Sequence, residues 1–194
     1  YQLEVVTNEQ TYRAFSQLKR VPELDSVFFR FEPDDLFFPE DSYLAEFWAR
    51  DPAGAGDTYW IKTYKNGLLL NKPIEINIAY DAGFSEGGNF DGTIFIQPIR
   101  AGVNPIDEDE NDEILPPYEL GDSIYVEIHS INRQAFTYLN EVTLQTDRQG
   151  GFAELFATPI SNVNTNLFNQ DATKKNDVVG FFNVAAVSGK GNKL

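Results

Sequence analysis

An antiparallel β-sandwich with one substantial α-helix between its late strands is the architecture these 194 residues predict. Two patterns carry that expectation. Short stretches alternate apolar and polar residues with a period of two, the mark of strands with one buried face. A single late stretch instead spaces its apolar residues three and four apart, as a helix does. The 16 Phe, 9 Tyr and 2 Trp, within a hydrophobic content of 42%, suffice for the core of one domain and exclude a disordered acidic chain.

Taken in order, "DSVFFRFE", "YLAEFWAR" and "TYWIKTYK" are strand candidates rich in aromatic and β-branched residues. Between Arg50 and Tyr59, "DPAGAGDT" combines Asp-Pro with two glycines and predicts a hairpin or loop. "YKNGL" carries Asn-Gly, the dipeptide of a two-residue hairpin turn. In "PIEINIAY", Ile74, Ile76, Ile78 and Tyr80 share one face and Glu75 and Asn77 take the other, which predicts a strand. "GTIFIQPI" is read as another strand. "SIYVEIHS" sets Ile124, Val126 and Ile128 against Tyr125, Glu127 and His129. In "INRQAFTYLNEVTLQTD", Ile131, Ala135, Leu139 and Val142 form one apolar stripe with Phe136 beside them. That predicts a helix over about 132–146, capped by Ser130 or Asn132 and stopped by "RQGG". "VVGFFNVAAV" is apolar on both faces and reads as a covered strand.

The net charge of −15 is concentrated. The interval Asn104–Asp122 holds eight carboxylates and no Lys or Arg. Such a chain repels phosphate backbones and anionic lipid, so no nucleic-acid partner is expected. With no Cys, disulfides, thiolate metal sites and Cys nucleophiles are excluded. Met is absent even at position 1, so the chain is expected to start downstream of its initiator, and any signal peptide or lipid-attachment Cys would lie upstream. No apolar run approaches the roughly 18 residues that span a bilayer.

Candidate sites are few. Asp107, Asp109 and Asn111 alternate like the first half of an EF-hand calcium loop. The template then fails: Asp112 stands where Gly is needed, Tyr118 where the bidentate Glu belongs, and Pro116 and Pro117 stiffen the exit. A solvated loop is the preferred reading, with an irregular calcium site as the alternative. The one histidine, His129, shares a strand face with Tyr125 and Glu127, but no nucleophile elbow accompanies it. Glu46, Glu75 and Glu127 are the acids from which a glycosidase-like pair could be drawn, although a single acid on a strand face is ordinary. No catalytic residue and no cofactor are therefore expected. Trp48, Tyr59, Trp60 and Tyr64 flank one expected hairpin and could stack on sugar rings, but alternation sends about half of them inward. "GFSEGGNFDG" lacks the Lys and the strand-to-helix setting of a phosphate loop and reads as a hairpin loop.

Several of these pieces resemble, in the same order, a Bacteroidota outer-membrane lipoprotein family known only as a domain of unknown function, DUF4249. The opening "YQLEVVTNEQTYRAFSQLKRVPELDSVFF" is similar at Tyr12, Val21, Pro22, Leu24, Asp25 and Ser26. The strand and helix of "DSIYVEIHSINRQAFTYLNEV" are similar at Phe136, Tyr138 and Leu139. The closing "ATPISNVNTNLFN" and "DVVGFFNVAAVS" are similar at Pro159, Asn162, Asn166, Gly180, Phe181 and Phe182. The resemblance implies that residues 1–20 are the tail of a preceding Ig-like domain with its linker, and that residues 21–194 form the sandwich domain. It implies a non-enzymatic, surface-exposed lipoprotein of the outer membrane, held through an N-terminal lipid anchor. The expected partner is a TonB-dependent transporter barrel. A carbohydrate-binding or adhesin-type module is the alternative function.

Overall fold

A computed structural model describes residues 1–7, 9–33, 42–111, 113–146, 163–174 and 178–194. It is mainly β, and every strand pairing among these residues is antiparallel. Strands β1 (Gln2–Val6) and β2 (Thr11–Phe15) form a hairpin, and β2 also pairs with β9 (Phe168–Asn169). The opening segment is thus hydrogen-bonded to chain that follows it by some 150 residues.

The main sandwich sets a two-stranded sheet against a five-stranded one. Strands β3 (Leu24–Glu32) and β4 (Ser42–Ala49) pair with Val27 opposite Phe47, after a register shift between Leu24 and Ser26. In the larger sheet β5 (Thr58–Lys65) lies central. One side of β5 pairs along its length with β8 (Ser123–Ile131), which pairs in turn with β10 (Val187–Lys193). Its other side is shared by β7 (Asn77–Tyr80) and the short β6 (Leu68–Leu69). The alternation read from the sequence decides what enters the core. Tyr59 and Ile61 of β5, with Ile124, Val126 and Ile128 of β8, are buried against Val27, Ala45 and Phe47. Along one edge β10 is tied to β3 by side chains: Ser188 Oγ accepts from Leu24 N at 2.9 Å, and Asn192 Nδ2 donates to Val27 O at 3.0 Å. Elsewhere the short helix α1 (Gln97–Ala101) packs on β4 and brings Ile99 into the same core.

Helix α2 (Arg133–Thr146) stands where the apolar stripe predicts it. Asn132 is its cap, accepting at Oδ1 from Ala135 N at 2.8 Å. Ala135 and Leu139 are buried in a satellite cluster with Ile131, and Trp60, Ile78 and Phe181 pack around them. The expected "RQGG" stop, like Pro159 and Asn162, lies outside the described residues. Among the described residues no helix is long and apolar enough to cross a membrane.

Three sequence expectations change. Pro73–Glu75 is a 3-10 turn, not the start of a strand. Pro73 has no N–H for a ladder, and Glu75 Oε2 accepts from Lys72 N at 2.8 Å and closes the turn, so the ladder begins only at Asn77. "GTIFIQPI" holds one isolated bridge, Ile94 to Arg50, and then enters α1, whose first turn accommodates Pro98. The covered strand expected at "VVGFFNVAAV" has no ladder over residues 178–186. Buried side chains hold its backbone at Phe182, Val184 and Ala186. Asn166 makes a reciprocal pair with Phe182 (2.9 and 2.7 Å), Ser16 Oγ accepts from Val184 N (3.0 Å), and Ser130 Oγ accepts from Ala186 N (3.0 Å).

Candidate functional site

The face of the five-stranded sheet turned away from the core carries five of the residues the sequence singled out: Trp60, Tyr64, Tyr125, Glu127 and His129. Three cross-strand pairs lie in a row: Trp60 opposite His129, Lys62 opposite Glu127, and Tyr64 opposite Tyr125. Their order follows from the period of two, since the intervening Tyr59, Ile61 and Thr63 point inward. Glu127 is the polar hub. Its Oε2 accepts from the Tyr64 hydroxyl at 3.1 Å and lies 2.8 Å from His129 Nε2. Desolvation, then the charge of Glu127 and this hydrogen bond, push the Tyr64 hydroxyl above the usual phenol range. At the other end of the row Lys62 Nζ sits 4.1 Å from the centre of the Trp60 ring. There α2 and residues 181–185 rise beside the sheet and enclose a groove of about 230 Å³ against Trp60.

The remaining candidates disperse. Trp48 and Trp60 do not flank one hairpin, because β4 and β5 belong to different sheets and "DPAGAGDT" crosses between them. Trp48 is faced by the Arg100 guanidinium at 4.4 Å, and Tyr59 lies in the core. Glu46, Glu75 and Glu127 stand on three separate elements with separate partners: Arg100 for Glu46, Lys72 N for Glu75, and the Tyr64 and His129 groups for Glu127. In the acidic loop Asp107 pairs with Lys72 at 2.5 Å. Asp109 Oδ1 accepts from Asn111 N and Glu113 N at 2.8 and 2.9 Å, while Asn111 Nδ2 donates to Asp109 Oδ2. Those bonds from Glu113 and Asn111 hold the Asp109 carboxyl below its usual range. The three calcium candidates thus have other partners, and the loop is a tight turn presenting Glu108, Glu110 and Glu113 outward.

A constellation the sequence reading missed joins two loops. Asp51, Asp81 and Asp91 each bring a carboxylate oxygen within 4.8 Å of the others, and the first two are buried. Asp51 accepts from the Tyr59 hydroxyl (2.6 Å) and Gly92 N (3.0 Å), Asp81 from Gly56 N and Asp57 N (2.8 and 2.9 Å), and Asp91 from Gly54 N (2.7 Å). The Arg20 guanidinium closes the ring, donating to the carbonyls of Pro52, Ala53 and Gly54 and to Asp57. Gly54 is needed there: its φ is +121°, and a Cβ would stand 3.0 Å from Arg20 Nη2. Burial pushes the Asp51 carboxyl above its usual range, outweighing the Tyr59 and Gly92 bonds that favour the anion. Carboxylates so placed are the donor type of a hard divalent cation, and five of their acceptor positions serve loop amides and a phenol, which locks the crossover. The signal for them is "RDPAG", "YDAG" and "FDGT", an Asp one to three residues ahead of a Gly each time. The glycine-rich loop does lie between a strand, β7, and a helix, α1, contrary to the sequence reading, but it has no phosphate-loop Lys.

A family model described as Domain of unknown function (DUF4249) matches residues 1–190. No curated protein and no solved structure matches the chain.

Proposed function

The chain belongs to the DUF4249 family, and on that premise we propose that it is a non-enzymatic, surface-exposed domain of a lipid-anchored outer-membrane lipoprotein, accessory to a TonB-dependent transporter. The observation that supports this reading is the family match, which runs through all but the last four residues. The geometry is compatible with docking. The turn carrying Glu108, Glu110 and Glu113 stands clear of the core, where a neighbour can meet it without disturbing the sandwich. The test is isolation of the tagged full-length gene product from its native membrane under mild extraction. A transporter barrel is expected to come with it. Recovery of the protein alone, with a tagged transporter from the neighbouring gene also coming down bare, would sink the reading.

A binding module, of carbohydrate-binding or adhesin type, is the second reading. The specific observation in its favour is the outer-face row, where Trp60, Tyr64 and Tyr125 keep part of their rings at the surface beside Glu127 and His129.

A further inference from the structure

The groove between the five-stranded sheet and α2 has a chemistry unlike the rest of this chain. Its walls are apolar and aromatic, with Trp60, Tyr138, Leu139 and Phe181 around a floor that includes Ile131 and Ala135. Asp and Glu outnumber Lys and Arg by 30 to 15, yet among the described residues no carboxylate lines the groove and Lys62 is its one formally charged residue. Lys62 makes no salt bridge among the described residues and is held only over the Trp60 ring. Its cross-strand neighbour, the acid Glu127, is engaged by the Tyr64 hydroxyl and His129. Asn183 adds a second donor. Its Oδ1 accepts from Asn132 N at 3.3 Å, and among the described residues its amide nitrogen has no partner and is open to a ligand.

We propose that this groove binds a small aromatic carboxylate, the ring lying among Tyr138, Leu139 and Phe181 and the carboxylate meeting the Lys62 ammonium and the Asn183 amide. At about 230 Å³ the groove is below the usual range for drug-sized ligands, which fits a single ring rather than a fused system or an oligosaccharide. An apolar wall with a few placed polar groups suits a flat ring with one anionic head. A sugar would need acceptors for its hydroxyl protons, and among the described residues the lining has none of the carboxylates that commonly supply them. The assignment is independent of the transporter reading, because it concerns a site on this chain alone.

Isothermal titration of the purified protein with benzoate, benzyl alcohol and methyl β-glucoside tests it. Benzoate should bind saturably with a dissociation constant below about 1 mM, and benzyl alcohol at least about tenfold more weakly, the size of a charge-assisted contact. Lys62→Gln, a surface change that leaves the core intact, should weaken benzoate about tenfold and leave benzyl alcohol unchanged, while Lys62→Arg should retain most of the affinity. Ala135→Trp should block both aromatic ligands. If that variant misfolds, the Lys62 pair still decides. Absence of saturable benzoate heat, equal affinity for acid and alcohol, or no effect of Lys62→Gln would overturn the proposal. Tighter binding of the glucoside would reassign the groove to saccharide.

Discussion

Asp51 is 1% exposed, the most buried carboxylate among the described residues, and its two oxygens hold a core phenol and a loop amide. Its folded pKa is raised, chiefly by burial, so between the ordinary aspartate value and that raised value the folded state binds more proton than the unfolded one. Stability contributed by this group therefore grows as pH falls into that window and is lost as pH rises through the folded pKa. Asp51→Asn removes the titration. We expect the melting temperature of the natural protein, relative to the Asn variant, to move in its favour between neutral pH and about pH 4, just above the ordinary aspartate range. Thermal melts of both proteins across that range check it. A constant gap, or one moving the other way, would mean that Asp51 is not held in the buried setting described. This residue was invisible to hydrophobic patterning, because the three aspartates converge only when loops some 30 and 40 residues apart are brought together.

At the scale of elements, α2 offers the cleanest test of packing. Leu139 is buried beside Ala135 and Ile131, whereas Asn140 next to it is exposed. Leu139→Ala should cost about 2–5 kcal/mol, the usual loss when a buried leucine leaves a cavity, and Asn140→Ala less than about 0.5 kcal/mol. Chemical denaturation of the two variants gives both numbers, and equal small losses would show the helix face to be wrong. The same element shows what periodicity can and cannot convey. Its stripe was legible because 3.6-residue spacing over fourteen residues is hard to imitate, and its cap because Asn132 stands directly before it. Strands β3, β4, β5 and β8 were legible for the matching reason at period two. "PIEINIAY" misled because Ile74 and Ile76 imitate a strand, although Ile74 is 55% exposed and the proline ahead of it forbids the first ladder bond. Residues 178–186 misled more deeply. Their apolar character is real, but whether a backbone is satisfied by a neighbouring strand or by Asn166, Ser16 and Ser130 depends on residues far off in the chain. The outer-face row was half legible. Alternation placed Tyr125, Glu127 and His129 together, while their meeting with Trp60, Lys62 and Tyr64 needed the β5–β8 register.

For the whole molecule, the placement of the excess negative charge decides how a partner is met. Much of the formal −15 is gathered in one interval, and the structure divides that interval into two kinds of acid. Asp107 and Asp109 are consumed in holding the turn, by Lys72 and by the amides of Asn111 and Glu113. Glu108, Glu110 and Glu113 are exposed and form no salt bridge among the described residues, so their field reaches outward. Exposed charges of this kind steer an approaching partner over about a Debye length, roughly 10 Å at 0.1 M salt, and add little to the energy of the final contact. Replacing Glu108, Glu110 and Glu113 together by Gln should leave the fold and melting temperature nearly unchanged, because no buried partner is lost. On the proposed function, the triple variant should associate with the purified transporter several-fold more slowly at low salt, with the difference shrinking toward 0.5 M salt and the dissociation rate unaffected. Surface-immobilised transporter with the protein in flow at two ionic strengths separates these rates. A change confined to dissociation would place the turn inside the interface instead of at its rim, and no change at either ionic strength would remove this loop from the docking surface altogether.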